Sequence, residues 1–174
     1  MTVLDMIIRK AVASEAERLA DIAYLAWERD LRPFLHGEQQ NRQAERRRLH
    51  NAVHELLDRI IVAERDGEPV GWCARARGKA YIPFLFVAPQ SQNQGIGTRL
   101  LKRMESILEL EGCERVQLDT LSDNVRAVNF YQHQGYQILA LKHEGAPGRD
   151  PHSSVRLEKR LAPYRGPLET EQED

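Results

Sequence analysis

The sequence predicts a mixed α/β fold in which a sheet carries helices on both faces. The middle of the chain is rich in short strand-like segments, and Asp66-Gly67 between two of them is a strong hairpin signal. From residue 80 onward, strand and helix patterns follow in the order strand, helix, strand, helix, strand, strand. This order is typical of a sheet that is covered by helices on its two faces.

The N-terminal part is predicted to hold one strand and two helices. Ser14 and Glu17 form a capping-box pattern that starts the first helix. Apolar residues then recur at helical spacing, at Leu19, Ile22, Ala23, Ala26 and Trp27. Pro33 disfavours helical geometry at the residue before it, so the helix should end near Asp30. The predicted elements are a strand at Met6–Arg9, a helix at 14–30, a loop at Leu31–Gly37 and a helix at Gln39–Leu57.

Glycines mark helix ends in the rest of the chain. Gly112 and Gly135 each follow a helical pattern, where a helix C-terminus favours glycine, and Asp123 or Asn124 should cap the last helix. Ala80–Val87 is more apolar than its neighbours, which predicts a central strand covered on both faces. The predicted elements are strands at Arg59–Arg65, Pro69–Arg77 and Ala80–Val87, a helix at Gly95–Glu111, a strand at Glu114–Thr120, a helix at 123–134, and strands at Tyr136–His143 and Ser153–Arg160.

Composition restricts the classes of function. The chain has 174 residues and a formal net charge of -1, which does not favour a nucleic acid or an anionic membrane as partner. We expect one domain over residues 1–162 and a flexible acidic tail over 163–174. The N-terminus lacks the apolar core of a signal peptide, and no apolar run approaches the roughly 20 residues that span a bilayer, so we expect a cytoplasmic protein. Cys73 and Cys113 form no metal pattern and are predicted to be reduced, buried thiols.

A turn with two glycines is the strongest functional signal. Residues 92–98, Gln-Asn-Gln-Gly-Ile-Gly-Thr, stand between an apolar strand and a helical pattern. The first N–H groups of a helix lack backbone partners and, together with the helix dipole, attract an anion such as phosphate. Glycine lets a ligand approach the backbone, because it has no Cβ. The turn is not a Walker loop, and Leu100 replaces the third glycine of a dinucleotide fingerprint. A turn that only packs the helix is the alternative.

Two motifs resemble those of the GNAT superfamily of N-acetyltransferases. Gln92-x-x-Gly95-x-Gly97 is similar to the family signature [Gln/Arg]-x-x-Gly-x-[Gly/Ala]. The family's second motif is similar to Asn124-x-x-Ala127-x-x-Phe130-Tyr131-x-x-x-Gly135-Tyr136. The resemblance implies a mostly antiparallel sheet of six to seven strands, which splays at a site for acetyl-CoA. It implies acetyl-CoA as the acetyl donor and no metal, and it leaves open whether another acyl-CoA is preferred.

The resemblance also implies which residues hold acetyl-CoA. The pantetheine arm should lie along exposed backbone at Phe86 and Val87, and the pyrophosphate should lie on the amides of the glycine turn. The family asparagine near the pantetheine arm resembles Asn124. The residues expected to bind the cofactor are Phe86, Val87, Gln92, Asn93, Gln94, Gly95, Ile96, Gly97, Thr98, Asn124 and Tyr131.

Tyr131 and Asp119 are the catalytic residues that the resemblance implies. Tyr131 stands at the position of a family tyrosine near the coenzyme sulfur, and a phenol is protonated at neutral pH and can donate to a leaving thiolate. The amide of Val87 is the expected donor to the thioester carbonyl. Asp119 stands where related ribosomal-protein N-terminal acetyltransferases carry a glutamate. Asp is one methylene shorter than Glu, which leaves three alternatives open. Asp119 takes the amine proton directly, acts through a water, or is only a structural carboxylate.

The expected acceptor is a primary amine of a small molecule. The segment 27–38 and the loop 144–152 should form the acceptor wall, with Trp27, Glu28, Phe34 and His36 as substrate-binding residues. Transfer to a protein or peptide amine and a non-catalytic acyl-CoA sensor are the alternatives, and the superfamily often forms homodimers. His50 and His54 stand at the i,i+4 spacing that metal sites use, but we interpret them as surface histidines.

Overall fold

The structure, a computed structural model, describes residues 6–144 and 152–162. The predicted acidic tail and residues 145–151 of the predicted acceptor loop lie outside the described residues. The helices and strands are β1 (Met6–Lys10), α1 (Ala16–Asp30), α2 (Arg42–Leu56), β2 (Ile60–Arg65), β3 (Glu68–Ala74), β4 (Phe84–Val87), α3 (Ile96–Leu110), β5 (Arg115–Leu121), α4 (Val125–His133), β6 (Gln137–Glu144) and β7 (His152–Arg160).

The strands form two antiparallel sheets that meet at one point. The first sheet has the order β1-β2-β3-β4 and the second has the order β5-β7-β6. A parallel bridge between Tyr81, just before β4, and Gln117 of β5 joins them. The predicted mixed, mostly antiparallel arrangement of six to seven strands is therefore confirmed, and the described residues hold seven.

Helices cover both faces of the first sheet. Alternate residues of β2 point to opposite faces, as the pleat requires. Ile60 and Val62 pack in a core with α1 and α2, whereas Ile61 and Ala63 pack in a second core with α3. Trp72 of β3 is fully buried in the first core, where its indole N–H donates to the carbonyl oxygen of Leu19 at 2.8 Å.

The start of α1 differs from the prediction. The backbone N–H of Val12 donates to the carboxylate of Glu15 at 2.9 Å, and residues Ala13–Glu15 form a 3-10 turn before α1. The expected pair of Ser14 and Glu17 does not form the cap, because Ser14 lies inside the 3-10 turn and the N-cap of α1 is Glu15. The predicted end at Asp30 is confirmed.

The segment between α1 and α2 is not a plain loop. Arg32–Phe34 and Gly37–Gln40 form 3-10 turns, and α2 begins after Asn41, whose side chain accepts from the amide of Ala44 at 2.9 Å. The predicted start of this helix at residue 39 is three residues too early, because the Asn41 cap sets the first helical residue at Arg42.

The predicted strand Ala80–Val87 is interrupted at Pro83. This residue has no N–H to donate, and only Phe84–Val87 forms β4. β4 is the edge strand of the first sheet rather than a central strand within one continuous sheet. Its other side faces the gap between the two sheets.

The two cysteines are both free thiols. Cys73 is buried, as predicted, and burial raises the pKa of its thiol well above the usual range. Cys113 is only half-buried, which corrects the expectation of a second buried thiol. Among the described residues, no helix combines the length and apolar character needed to cross a membrane.

Candidate active site

A cleft opens where the two sheets separate. At the junction, the amide of Ile82 donates to the carbonyl of Gln117 at 3.0 Å, and the amide of Gln117 donates to the carbonyl of Ala80 at 3.1 Å. Beyond these bonds β4 pairs with β3 and β5 pairs with β7. The cleft has a volume of about 680 Å³ and is lined by β4, the glycine turn, the end of β5, α4 and the end of α1.

One edge of β4 directs backbone groups into this cleft. The amide of Ala88 donates to the carbonyl of Val70 at 2.8 Å, so these two residues form a hydrogen-bonded pair. Hydrogen-bonded and non-hydrogen-bonded pairs alternate along an antiparallel ladder. Leu85 and Val87 therefore point their N–H and C=O groups away from β3, toward the gap. An extended ligand can bond there as an added strand would.

The glycine turn presents the N-terminus of α3 to the same cleft. Gly95 is the N-cap of α3 and has φ +78°, a left-handed conformation that favours glycine. Gly97, one residue inside the helix, faces the cleft, and a Cβ built on it would lie 3.6 Å from the Phe130 ring. Asn93 also has a positive φ of 61°. The turn therefore exposes helix N–H groups at a place where an anion can approach.

The polar side chains of the turn have distinct partners. Gln92 donates through Nε2 to a carboxylate oxygen of Asp30 at 2.7 Å and to the carbonyl of Val87 at 3.2 Å, which ties the turn to α1 and β4. Asn93 accepts a hydrogen bond from Arg126. Gln94 accepts from Arg65 outside the cleft and does not line it.

The start of α4 forms another wall. Asn124 is buried, and its Oδ1 accepts from the amide of Ala127 at 3.2 Å as the N-cap of α4. Tyr131, two turns further along, also lines the cleft, and its ring contacts Tyr136 edge-on with centroids 5.7 Å apart. Burial raises the pKa of the Tyr131 phenol, and Cys73 and Tyr81 act in the same direction. The phenol therefore keeps its proton throughout the neutral range.

Asp119 is held by several partners. Its two carboxylate oxygens accept from Nε and Nη2 of Arg156 at 2.9 and 3.0 Å, and the Tyr81 hydroxyl donates at 3.0 Å. The ammonium of Lys142 lies 3.6 Å away. Burial alone would raise the pKa of Asp119, but the hydrogen bonds from Arg156 and Tyr81 and the charges of Arg156 and Lys142 outweigh it, so the pKa lies below its usual value. Such a carboxylate is a weak proton acceptor.

Comparison with known proteins identifies the family. A model of the acetyltransferase (GNAT) family matches residues 19–136, which is more than half of the chain. This chain belongs to the GNAT family.

Solved structures share the GNAT fold. A GCN5-related N-acetyltransferase from Rhodopseudomonas palustris has a TM-score of 0.75 and 20% identity, with 92% of this chain and 99% of that chain covered. YncA from Salmonella typhimurium, solved with its cofactor acetyl-CoA, has a TM-score of 0.69 and 17% identity, with 95% of this chain and 99% of that chain covered. At these identities the likeness is one of fold.

A curated relative is more similar in sequence over a shorter stretch. The thialysine N-ε-acetyltransferase of Mus musculus is 35% identical over 68 residues, which is 39% of this chain and 38% of that protein. The chain spans about half the length of one curated relative, 53% of the protein YdhI from Bacillus subtilis, and 38% of the length of the thialysine N-ε-acetyltransferase.

Most residues that the GNAT motifs indicated meet in the cleft. The cofactor candidates that line it are Phe86, Val87, Gln92, Asn93, Gly95, Ile96, Gly97, Thr98, Asn124 and Tyr131. Gln94 lies outside. The backbone of Phe86 bonds toward β3, so this residue offers the cleft its ring rather than its amide.

The acceptor candidates separate in the structure. Phe34 lines the cleft. Trp27 is 3% exposed and belongs to the core under α1, and Glu28 binds Arg42 at 2.7 Å and Arg32 at 3.5 Å. His36 stands just before the 3-10 turn Gly37–Gln40, makes no side-chain capping bond and does not line the cleft. Of the four, only Phe34 is placed to touch a ligand in this cleft.

Two arginines at the site, Arg126 and Arg156, were not predicted from the sequence motifs. Arg126 lies in the first turn of α4, lines the cleft and bonds Asn93 of the glycine turn. Its position two residues after the capping Asn124 was a signal that could have indicated it. Arg156 gave no local signal, because only the pairing of β5 with β7 brings it opposite Asp119.

Proposed function

We propose that this protein transfers the acetyl group of acetyl-CoA to a primary amine. The observation that carries the proposal is the combination, in one cleft, of the anion-binding turn before α3 with the outward-facing backbone of β4. The turn before α3 suits a pyrophosphate. The outward-facing backbone of β4 suits a pantetheine arm, which carries two amides. The GNAT relationship and the fold shared with YncA support this donor.

The residues of the turn would hold the charged part of the donor. Ile96, Gly97 and Thr98 at the start of α3 line the cleft, so their N–H groups can meet an anion there. Arg126 supplies a positive charge next to Asn93. The guanidinium can bind a phosphate oxygen in addition to its hydrogen bond with Asn93.

The thioester of acetyl-CoA supplies a carbonyl carbon that a neutral amine can attack. The N–H of Val87 points into the gap, where it can stabilise negative charge that develops on a carbonyl oxygen. Tyr131 carries a proton at neutral pH and would give it to the departing sulfur. Both groups act within a ternary complex, with direct attack by the amine.

The amine proton goes to water rather than directly to Asp119. Both oxygens of Asp119 already accept hydrogen bonds, and its pKa is lowered. Asp119 would instead hold Tyr81 and Arg156 in place at the junction of the two sheets. This choice makes Asp119 a structural carboxylate and sets direct proton abstraction by it aside.

A small-molecule amine is the acceptor that we favour. The support is the relative whose name gives thialysine, an amino acid with a side-chain amine, as its substrate. A protein or peptide amine remains the competing acceptor, and a sensor that binds acyl-CoA without turnover is the competing function.

The first experiment is isothermal titration of the protein with acetyl-CoA and, separately, with NAD. We expect saturable binding of acetyl-CoA and none of NAD. Mass spectrometry of reactions with thialysine, lysine, polyamines and N-terminal peptides would then identify the acetylated product. No acetyl-CoA binding by the folded protein would overturn the proposal, and binding without any turnover would favour the sensor.

A further inference from the structure

Helices α1 and α2 are joined by a series of contacts between acidic side chains of α1 and nitrogen groups of α2. Glu28 binds Arg42 at 2.7 Å and Asp21 binds Arg46 at 3.3 Å. At the other end of the series, Glu17 faces two imidazoles, those of His50 and His54, instead of a guanidinium. An imidazole is a metal ligand, whereas a guanidinium is not, so this end differs in its chemistry.

The three side chains converge on one point. Nε2 of His50 lies 2.9 Å from Oε1 of Glu17, and the rings of His50 and His54 have centroids 4.5 Å apart. One ligand atom from each of the three residues lies within 4.8 Å of the others. Ligand atoms about 2.0–2.2 Å from a tetrahedral metal are roughly 3.4 Å from each other, so small side-chain rotations bring the three atoms to bonding positions.

We propose that Glu17, His50 and His54 bind a divalent transition-metal ion, with Zn²⁺ the best match. Two imidazole nitrogens and one carboxylate oxygen form a ligand set that suits Zn²⁺, whereas Mg²⁺ and Ca²⁺ prefer oxygen ligands. Water completes the tetrahedron, because Glu17 and His54 are exposed. The helical i,i+4 spacing of the two histidines holds both rings on the same face of α2 before the metal arrives.

The site would stabilise the fold rather than take part in the reaction. Glu17 and Asp30 are 13 positions apart on α1, and only the Asp30 end lines the cleft. At 1.5 Å per residue the two ends are about 20 Å apart. The ion would link α1 to α2, and free Zn²⁺ at a hundred times its Kd would shift the folding equilibrium about 100-fold toward the folded state.

The test is isothermal titration of the tag-free protein with ZnCl₂, in a Cys113→Ser background that removes the half-exposed thiol. We expect one equivalent to bind, and MgCl₂ at the same concentration not to bind. His50→Gln and His54→Gln should each weaken Zn²⁺ binding at least tenfold, and Glu17→Gln should weaken it several-fold. Circular dichroism confirms that each variant is folded. If His50→Gln does not fold, His54→Gln tests the site, because His54 is exposed.

Two matched controls remove similar groups from other places. Asp21→Asn removes a carboxylate one turn along α1, and His133→Gln removes an exposed histidine on α4. Both should leave Zn²⁺ binding unchanged. The proposal is overturned if no saturable binding occurs, if binding persists in both His50→Gln and His54→Gln, or if either control abolishes it. Neither the titration nor its outcome depends on acetyltransferase activity.

Discussion

Arg156 donates hydrogen bonds to both carboxylate oxygens of Asp119, from Nε at 2.9 Å and from Nη2 at 3.0 Å. The two residues stand directly opposite each other in the β5–β7 ladder. The side chain of Asp119 is 18% exposed, so the pair is only partly screened by water. We expect a carboxylate in this position to stabilise the second sheet next to the cleft, and the two predictions that follow test this structural role against that of a catalytic base.

Asp119→Asn should lower activity without moving its pH dependence. The ascending limb of the kcat/KM profile should keep its midpoint, because the lowered pKa leaves Asp119 ionised through the neutral range. The measurement is kcat/KM from pH 5 to pH 9 for both proteins. If the limb near neutrality disappears in the variant, Asp119 is the base and the water relay is wrong.

The same substitution should change stability in a pH-dependent way. The folded-state pKa of Asp119 lies below its ordinary value of 3.8, so the ionised carboxylate stabilises the fold above about pH 4, and this contribution is lost as the pH falls through the lower folded-state value. We expect Asp119→Asn to cost about 1–3 kcal/mol at pH 7. Urea denaturation from pH 3 to pH 7 should show that the difference shrinks only at the acidic end.

Tyr131→Phe should reduce kcat about 10²- to 10⁴-fold and leave acetyl-CoA binding within a few-fold of the wild type. The variant keeps the ring that packs on Tyr136 and removes only the hydroxyl that holds the proton. Kinetics and isothermal titration measure the two effects separately. Tyr136→Phe is the control. The Tyr136 hydroxyl donates to buried Glu105, so the loss of this hydroxyl should lower stability rather than kcat. Unchanged kcat in Tyr131→Phe would remove Tyr131 from the mechanism.

Two substitutions of Gly97 should have opposite consequences. Its Cβ would meet the Phe130 ring at 3.6 Å, an ordinary contact, so Gly97→Ala should fold and bind acetyl-CoA at near wild-type strength. Gly97→Glu places a negative charge at the helix N-terminus and should weaken binding about 100-fold or more, since anion binding there depends on the exposed N–H groups and the dipole. Equal affinity of the two variants, by titration, would show that the donor does not use this turn.

Arg126→Gln should weaken acetyl-CoA binding about 5- to 30-fold and reduce its salt dependence, because the substitution removes a charge next to the glycine turn. Titrations at low and high salt measure both effects. Arg103→Gln, an exposed position on α3 that does not line the cleft, is the matched control and should change neither. Identical behaviour of the two variants would contradict the role given to Arg126.

Gly71→Ala should destabilise the fold by about 1–3 kcal/mol. A Cβ at this position would lie 2.8 Å from the carbonyl oxygen of Phe86 in β4 and 3.2 Å from the Leu100 side chain in α3. Chemical denaturation measures the cost, with Gly97→Ala as the comparison. A Gly71→Ala protein as stable as the wild type would mean that β3, β4 and α3 adjust without strain.

The local motifs of the glycine turn and of α4 could be read from the sequence. Gly95 ends a strand-to-helix turn with positive φ, and Asn124 caps the helix that carries Tyr131. Each of these features depends on residues within about one or two helical turns along the chain, where backbone conformation and capping operate. The α/β pattern was visible for the same reason, because hydrophobic periodicity is a local property.

The acceptor wall was harder to predict. Helical periodicity had already placed Trp27 on the apolar face of α1, and the structure finds it in the core. Glu28 stands on the same helix, but its ion pair with Arg42 depends on how α1 packs against α2. A side chain that the sequence suggests as a ligand contact can therefore be paired with a residue of a neighbouring helix, as Glu28 is with Arg42.

The sequence by itself determined the order of most elements, the glycine turn and the family motifs, since these follow from residues that are close along the chain. Only the tertiary structure decided the partners of Asp119 and the convergence of Glu17 with His50 and His54. Those contacts join residues 37 and 33 positions apart in sequence, for the pairs Asp119–Arg156 and Glu17–His50. Their electrostatics depend on strand register and helix packing, which local sequence patterns do not encode.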